Sequence, residues 1–126
     1  MTGAFNESTT FVDWDWRSKG YAFGLPLFQR EQFLKQLRVV DRLRAIAARH
    51  GKSVAQLAIS WVLGNPAVTV ALVGIRRTEE LKENVAAVEW RLSPDERREI
   101  DTIFAEEGVP THSETSQITE PFLPSR

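Results

Sequence analysis

A short apolar run, Ala67-Val68-Thr69-Val70-Ala71-Leu72-Val73, constrains the fold of this 126-residue chain more than any other feature. Pro66 and Gly74 bound it, and such a run is typical of a strand buried on both faces of a parallel sheet. No other segment has a convincing strand pattern, and a strand without a partner leaves a row of backbone N–H and C=O groups unpaired. The sequence therefore predicts a piece of a larger α/β structure, mostly helical, with one clear apolar strand over residues 67–73.

Two helices are predicted upstream of this run, within residues 31–64. Apolar residues recur every three to four positions from Glu31, and Gly51 supplies a C-terminal stop. Ser53 is placed to cap the second helix, which the turn Gly64-Asn65-Pro66 ends.

Two further helices are predicted downstream, within residues 78–107. Thr78 opens the first, with Leu81, Val85 and Val88 expected to face inward. The segment Ser93-Pro94-Asp95-Glu96 is a capping box with proline at the first helical position, and it begins the second.

The two ends of the chain lack periodicity. Residues 1–30 are rich in loops, and for the segment from Phe11 to Arg17 a surface strand and a loop over a pocket are both open. Residues 109–126 are polar and hold three of the six prolines, which indicates a flexible tail. We therefore predict one structural unit over residues 1–108.

Composition excludes several classes of function. With 16 basic and 17 acidic residues, the chain has no overall charge to attract nucleic acid or an anionic membrane. One helix face carries basic residues, which we interpret as a solvated surface rather than an RNA site: Lys35, Arg38, Arg42 and Arg49. The chain has no cysteine and no run long enough to span a membrane, so we expect a cytoplasmic protein without a cysteine metal site.

The stretch from Val73 to Asn84, VGIRRTEELKEN, joins the apolar run to the third predicted helix. Gly74 lets the backbone turn close to a ligand, and the helix that begins near Thr78 presents unpaired N–H groups. Such a stretch can hold a phosphate, or it can simply start a helix. The residues by themselves leave both interpretations open.

Several blocks in order resemble the NADP-dependent aldo-keto reductases, which are (β/α)8 barrels. The resemblance covers most of the chain, from Met1 to about Phe104, and implies that the chain is the C-terminal portion of such a barrel. The blocks that carry it are Met1-Thr2-Gly3-Ala4-Phe5, Asp15-Trp16-Arg17, the segment from Ser53 to Leu63, Leu72-Val73-Gly74, the segment from Gly74 to Asn84, and the segment from Trp90 to Glu96.

This resemblance implies a site for the adenosine and 2′-phosphate end of NADPH. Arg76 matches a position that pairs with the phosphate, and Glu83 and Asn84 match the pair that meets the adenine. Glu80 departs from the family pattern, because Gln or Arg is usual there and a carboxylate repels phosphate. The implied cofactor residues are Gly74, Ile75, Arg76, Glu80, Glu83 and Asn84, with Ile75 expected to pack locally.

The same resemblance implies that this chain lacks the catalytic half of the barrel. The family's Tyr, Lys, Asp and His come from that half, and Tyr21, His50 and His112 match none of them. We therefore expect no catalytic residue, no metal site, and weak or no binding of NADP by half a site. A non-enzymatic alternative is an assembly module, whose orphan strand pairs with a second copy or with a separate N-terminal half.

Overall fold

The computed structural model describes residues 4–22 and 25–109. Its regular elements are four α-helices, and two short 3-10 helices lie beside them at Trp16–Lys19 and Ala86–Glu89. The α-helices are α1 (Arg30–Arg49), α2 (Val54–Leu63), α3 (Thr78–Val85) and α4 (Pro94–Glu106).

Local capping explains where α2 and α4 begin and where α1 ends. Ser53 and Ser93 each accept a hydrogen bond from the backbone N–H three residues on, and both form reciprocal capping boxes with Gln56 and Glu96. Gly51 follows α1 with a positive φ of 61°, which glycine adopts without strain. These caps agree with the sequence predictions.

The core lies where α1, α2 and α4 meet. Leu43 and Ile46 of α1, Leu57 of α2 and Ile100 of α4 are almost fully buried. Trp90 and Leu92, in the segment between α3 and α4, belong to the same cluster, and Trp61 packs against it from outside. The core is therefore built between helices, with no sheet beneath it in the described residues.

The predicted strand over residues 67–73 is wrong. Within the described residues there is no strand or sheet, and the one β-bridge is an isolated contact between Ala22 and Leu25. Leu72 is 95% exposed and Val70 is 67% exposed. A strand forms only when a neighbouring backbone accepts and donates its hydrogen bonds, and no described element offers one here. The α/β prediction is thus corrected to a helical arrangement.

The apolar face of α3 also departs from the prediction. Leu81 and Val85 of α3 and Val88 of the following 3-10 helix were expected to face inward, but they are 44%, 57% and 59% exposed. No residue of α3 is buried. The helix predicted to run through about Val88 ends at Val85, where a 3-10 helix follows, and no described element covers its apolar side chains.

The basic face of α1 forms a seam of ion pairs. Arg38 pairs with Glu107 at 2.8 Å, Arg42 with Glu106 at 2.6 Å and Arg49 with Glu99 at 2.6 Å. Lys35 pairs within its own helix, with Glu31 at 2.9 Å. The three arginines thus face carboxylates of α4 and of the residue that follows it.

No helix among the described residues is long and apolar enough to cross a bilayer.

An aromatic cluster organises the segment before α1. Phe11 lies edge-on to Phe5 and Phe28, with ring centroids 5.5 Å and 5.4 Å away, and Phe33 of α1 touches all three. The Arg17 guanidinium lies 4.8 Å from the Phe11 centroid and also pairs with Asp15. The described part of this segment holds one 3-10 helix, Trp16–Lys19, and the isolated bridge between Ala22 and Leu25. Beyond α4, Val109 packs against the core, and residues 110–126 of the predicted tail lie outside the described residues.

Candidate functional site

One cavity of about 320 Å³ brings together most of the predicted cofactor residues. Its walls come from the loop before α3, from α3 itself, from Ala55 in the first turn of α2, and from Ala4 near the N-terminus. Ile75 does not line this cavity and is 46% exposed. The predicted residues on the cavity wall are Gly74, Arg76, Glu80, Glu83 and Asn84.

The two neighbouring arginines of this cavity differ in their partners. Arg77 donates to Glu80 through both Nε, at 3.2 Å, and Nη2, at 3.0 Å. The Arg76 guanidinium forms no ion pair with a described carboxylate. Arg77 is thus paired directly with Glu80, whereas the Arg76 guanidinium acts on Glu80 only through its charge at longer range.

Glu80 acts as an internal anion at the start of α3. Its Oε2 accepts a hydrogen bond from the backbone N–H of Arg76 at 2.8 Å, while Oε1 meets the Arg77 guanidinium. These contacts, the Arg76 N–H first and the Arg77 side chain after it, lower the pKa of the Glu80 carboxyl against the opposing effect of partial burial. Glu80 is ionised at neutral pH and occupies donors that a bound anion would otherwise use.

Hydrogen bonds connect Glu83, at the far end of the cavity, to α2 and its N-cap. The Ser53 hydroxyl, which caps α2, also donates to the Glu83 carboxylate, and Gln56 Nε2 donates to the Glu83 carbonyl at 3.0 Å. Sequence reasoning missed this link, because 30 residues separate Ser53 from Glu83 and no local spacing signals it. Asn84 lies beside Glu83 and is half-buried.

Gly74 lies on the cavity wall in open space. A Cβ atom placed there would meet nothing within 4 Å, and its φ is not among the positive values found at Gly20, Gly51 and Gly108. Neither strain nor crowding within the chain therefore requires glycine at this position. A close approach by a bound molecule remains a reason for it, as the sequence predicted.

Tyr21 and His50, which match none of the family's catalytic positions, do not line this cavity. Tyr21 accepts a hydrogen bond from Gln29 Nε2 at 2.7 Å, and His50 contacts the Glu96 carboxylate while its ring lies 4.8 Å from that of Trp90. His112 lies outside the described residues. In the described ranges no three His, Asp or Glu side chains are grouped as metal ligands.

Comparison with known proteins identifies the family. The sequence profile described as "Aldo/keto reductase family" matches residues 3–105. The chain belongs to the aldo/keto reductase family. This agrees with the resemblance carried by the sequence blocks, and the candidate cavity lies within the matched range.

Three curated relatives illustrate this membership of the aldo/keto reductases. Aldo-keto reductase YhdN of Bacillus subtilis is 34% identical over 105 residues, which is 82% of this chain and 30% of that protein. Aldo-keto reductase yakc [NADP(+)] of Schizosaccharomyces pombe is 30% identical over 79% of this chain and 28% of that protein. Aldo-keto reductase str7 of Strobilurus tenacellus is 26% identical over 87% of this chain and 31% of that protein. The chain thus spans less than a third of the length of these aldo/keto reductases, and no solved structure gives a significant match.

Proposed function

We propose that this chain is the cofactor-binding C-terminal part of an NADP-dependent aldo-keto reductase. On this proposal, the cavity beside α3 takes the adenosine 2′-phosphate end of NADP(H), and the chain does not catalyse alone. The observation that carries the proposal is the unpaired Arg76 guanidinium on the wall of a cavity that also gathers Gly74 and Asn84. Family membership supports it, as does the NADP(+) in the name of the relative from Schizosaccharomyces pombe.

The chemistry of the cavity suits this ligand in three respects. A guanidinium presents a planar fork of donors that matches phosphate oxygens. The open side of Gly74 admits a close approach, and the amide of Asn84 supplies both a donor and an acceptor for a base edge. Glu80 opposes the phosphate, so we expect binding to be weak.

The bound cofactor would supply a hydride for the reduction of a carbonyl group. The described residues of this chain contribute only binding contacts to the adenosine end of the cofactor. Because the affinity for a dinucleotide is spread over both of its ends, half a site binds it poorly. We therefore expect no measurable NADPH oxidation with aldehydes by the purified 126-residue chain.

Titration with adenosine 2′-monophosphate tests the proposal, with chemical shifts of the backbone amides of residues 74–84 as the readout. Arg76→Gln should weaken binding by about tenfold, because it removes charge-assisted hydrogen bonds. Arg44→Gln is the matched control, since Arg44 lies on α1, pairs with Asp41 and does not line the cavity. Equal affinities of the Arg76→Gln variant and the wild type, or no saturable binding at all, would refute the proposed function.

A further inference from the structure

Two side chains at the far end of the cavity beside α3 have unused hydrogen-bonding groups. Glu83 and Asn84 both line the cavity, and Asn84 is half-buried. One carboxylate oxygen of Glu83, Oε1, accepts a hydrogen bond from the Ser53 hydroxyl, whereas Oε2 bonds to no described residue. The side-chain amide of Asn84 has no hydrogen-bond partner within the described ranges. A carboxylate acceptor and an amide that both donates and accepts therefore lie on the same wall.

These groups match the edge of an adenine base. Adenine presents an amino group, which donates, beside ring nitrogens, which accept. A carboxylate oxygen accepts from the amino group, and a side-chain amide can meet both kinds of atom. Hypoxanthine carries a carbonyl oxygen where adenine has its amino group, so that oxygen would face the carboxylate and be repelled by it. The position of the Glu83 carboxylate is therefore what separates the two bases.

Ser53 holds this carboxylate in place. Glu83 is exposed, and fixing one rotamer of a long exposed side chain costs entropy at binding unless another contact has already fixed it. The Ser53 hydroxyl supplies such a contact, because it accepts from the Gln56 backbone N–H at 3.2 Å and donates its own hydrogen to Glu83. One hydroxyl thus caps α2 and orients a side chain of α3.

Gln56 holds the backbone of the same residue. It is only 9% exposed. Its Oε1 accepts from the Ser53 backbone N–H at 3.0 Å, and its Nε2 donates to the Glu83 carbonyl at 3.0 Å. The capping box that begins α2 therefore fixes both the backbone and the side chain of Glu83.

We propose that Ser53 is a positioning residue for base recognition, because it holds the Glu83 carboxylate where it accepts from the amino group of adenine. This inference rests on the proposed function, since it assigns the base that the same cavity selects. Ser53 does not line the cavity, so it acts through Glu83 and not on the nucleotide itself. The cap of α2 and the discrimination between adenine and hypoxanthine are thereby coupled.

The ratio of two affinities tests this role: the affinity for adenosine 2′-monophosphate divided by that for inosine 2′-monophosphate. Both ligands carry the same phosphate, so the ratio cancels any change in charge or stability that affects them equally. The wild type should prefer the adenine nucleotide about tenfold. Ser53→Asp should reduce this preference to about twofold or less, because aspartate caps a helix as serine does but has no hydrogen to donate to Glu83.

Three further variants separate positioning from capping. Ser53→Thr keeps both the cap and the donor, so it should retain the preference for adenine. Ser93→Ala removes the cap of α4, where the serine contacts its own capping-box partner Glu96, and it should also retain the preference. Glu83→Gln should lose the preference, because an amide can turn either a donor or an acceptor towards the base. Far-UV circular dichroism measures whether each variant keeps its helices.

Two outcomes would overturn the positioning role. The first is a Ser53→Asp variant that is as helical as the wild type and keeps the full preference for adenine. The second is a wild type that binds both nucleotides equally tightly, which would show that Glu83 does not distinguish the base edges. A wild type that binds neither nucleotide overturns the proposed function and this inference with it, whereas equal binding of both overturns the inference alone.

Discussion

The Glu80 carboxylate accepts a hydrogen bond from the backbone N–H of Arg76 at 2.8 Å, so the first turn of α3 already holds an anion of its own. The same carboxylate neutralises Arg77. Any phosphate at this cavity must therefore bind beside a negative charge. If the cavity takes a 2′-phosphate as proposed, its affinity depends on the balance between the charges of Arg76 and Glu80.

Replacing Glu80 should strengthen phosphate binding. Glu80→Gln removes the charge, keeps the length of the side chain and releases Arg77, so we expect affinity for adenosine 2′-monophosphate to rise about two- to fivefold. Affinity for unphosphorylated adenosine should not change. Calorimetric titration of both ligands measures the difference. Glu79→Gln is the matched control, because it removes the same charge from the same helical turn outside the cavity wall. An equal gain in the Glu79→Gln variant would assign the effect to overall charge.

Two glycines should respond in opposite ways to alanine. Gly51→Ala should cost about 1 kcal/mol of unfolding free energy, because Gly51 has a φ of 61° and L residues are strained there. Gly74→Ala should leave stability within about 0.5 kcal/mol, since its φ is not positive and its Cβ would stand in open space. Urea denaturation measures both. The Gly74→Ala variant should nevertheless bind adenosine 2′-monophosphate more weakly than the wild type. Unchanged binding would remove Gly74 from the site.

Glu96 should make the stability of the chain depend on pH below 4.5. The Ser93 backbone N–H above all, and then the His50 ring and the Ser93 hydroxyl, lower the pKa of the Glu96 carboxyl from 4.5 to about 2, against the opposing effect of burial. A carboxyl whose pKa is lower in the folded state contributes its full stabilisation above pH 4.5 and loses it as pH falls towards 2. Its side chain is 15% exposed, and the contribution is up to about 3 kcal/mol.

Denaturation between pH 7 and pH 2 measures this contribution. Glu96→Gln is neutral throughout, so its stability should be lower than that of the wild type at pH 7 and should approach it near pH 2. Asp101→Asn, on an exposed position of α4 without an ion pair to a described residue, should reproduce the wild-type profile. A Glu96→Gln variant that parallels the wild type over the whole range would contradict the assignment.

Several parts of the candidate site could be predicted from the sequence. The resemblance picked out residues between Gly74 and Asn84, and five of the six chosen residues line one cavity. The resemblance also singled out Arg76 as a match to a phosphate-pairing position and Glu80 as a departure from the family pattern. The link from Ser53 to Glu83 could not be predicted, because it depends on how two helices pack and not on residues near each other in sequence.

The sequence by itself determined where α2 and α4 begin and where α1 ends, because the caps Ser53, Ser93 and Gly51 act within one turn of their own chain. The tertiary structure decided what became of residues 67–73. Their apolar composition indicated a strand, but a strand needs a neighbouring backbone to pair with, and none of the residues 4–22 and 25–109 supplies one. The apolar face of α3 is exposed for a similar reason. A helical pattern marks a face as apolar, but burying that face requires a second element packed against it.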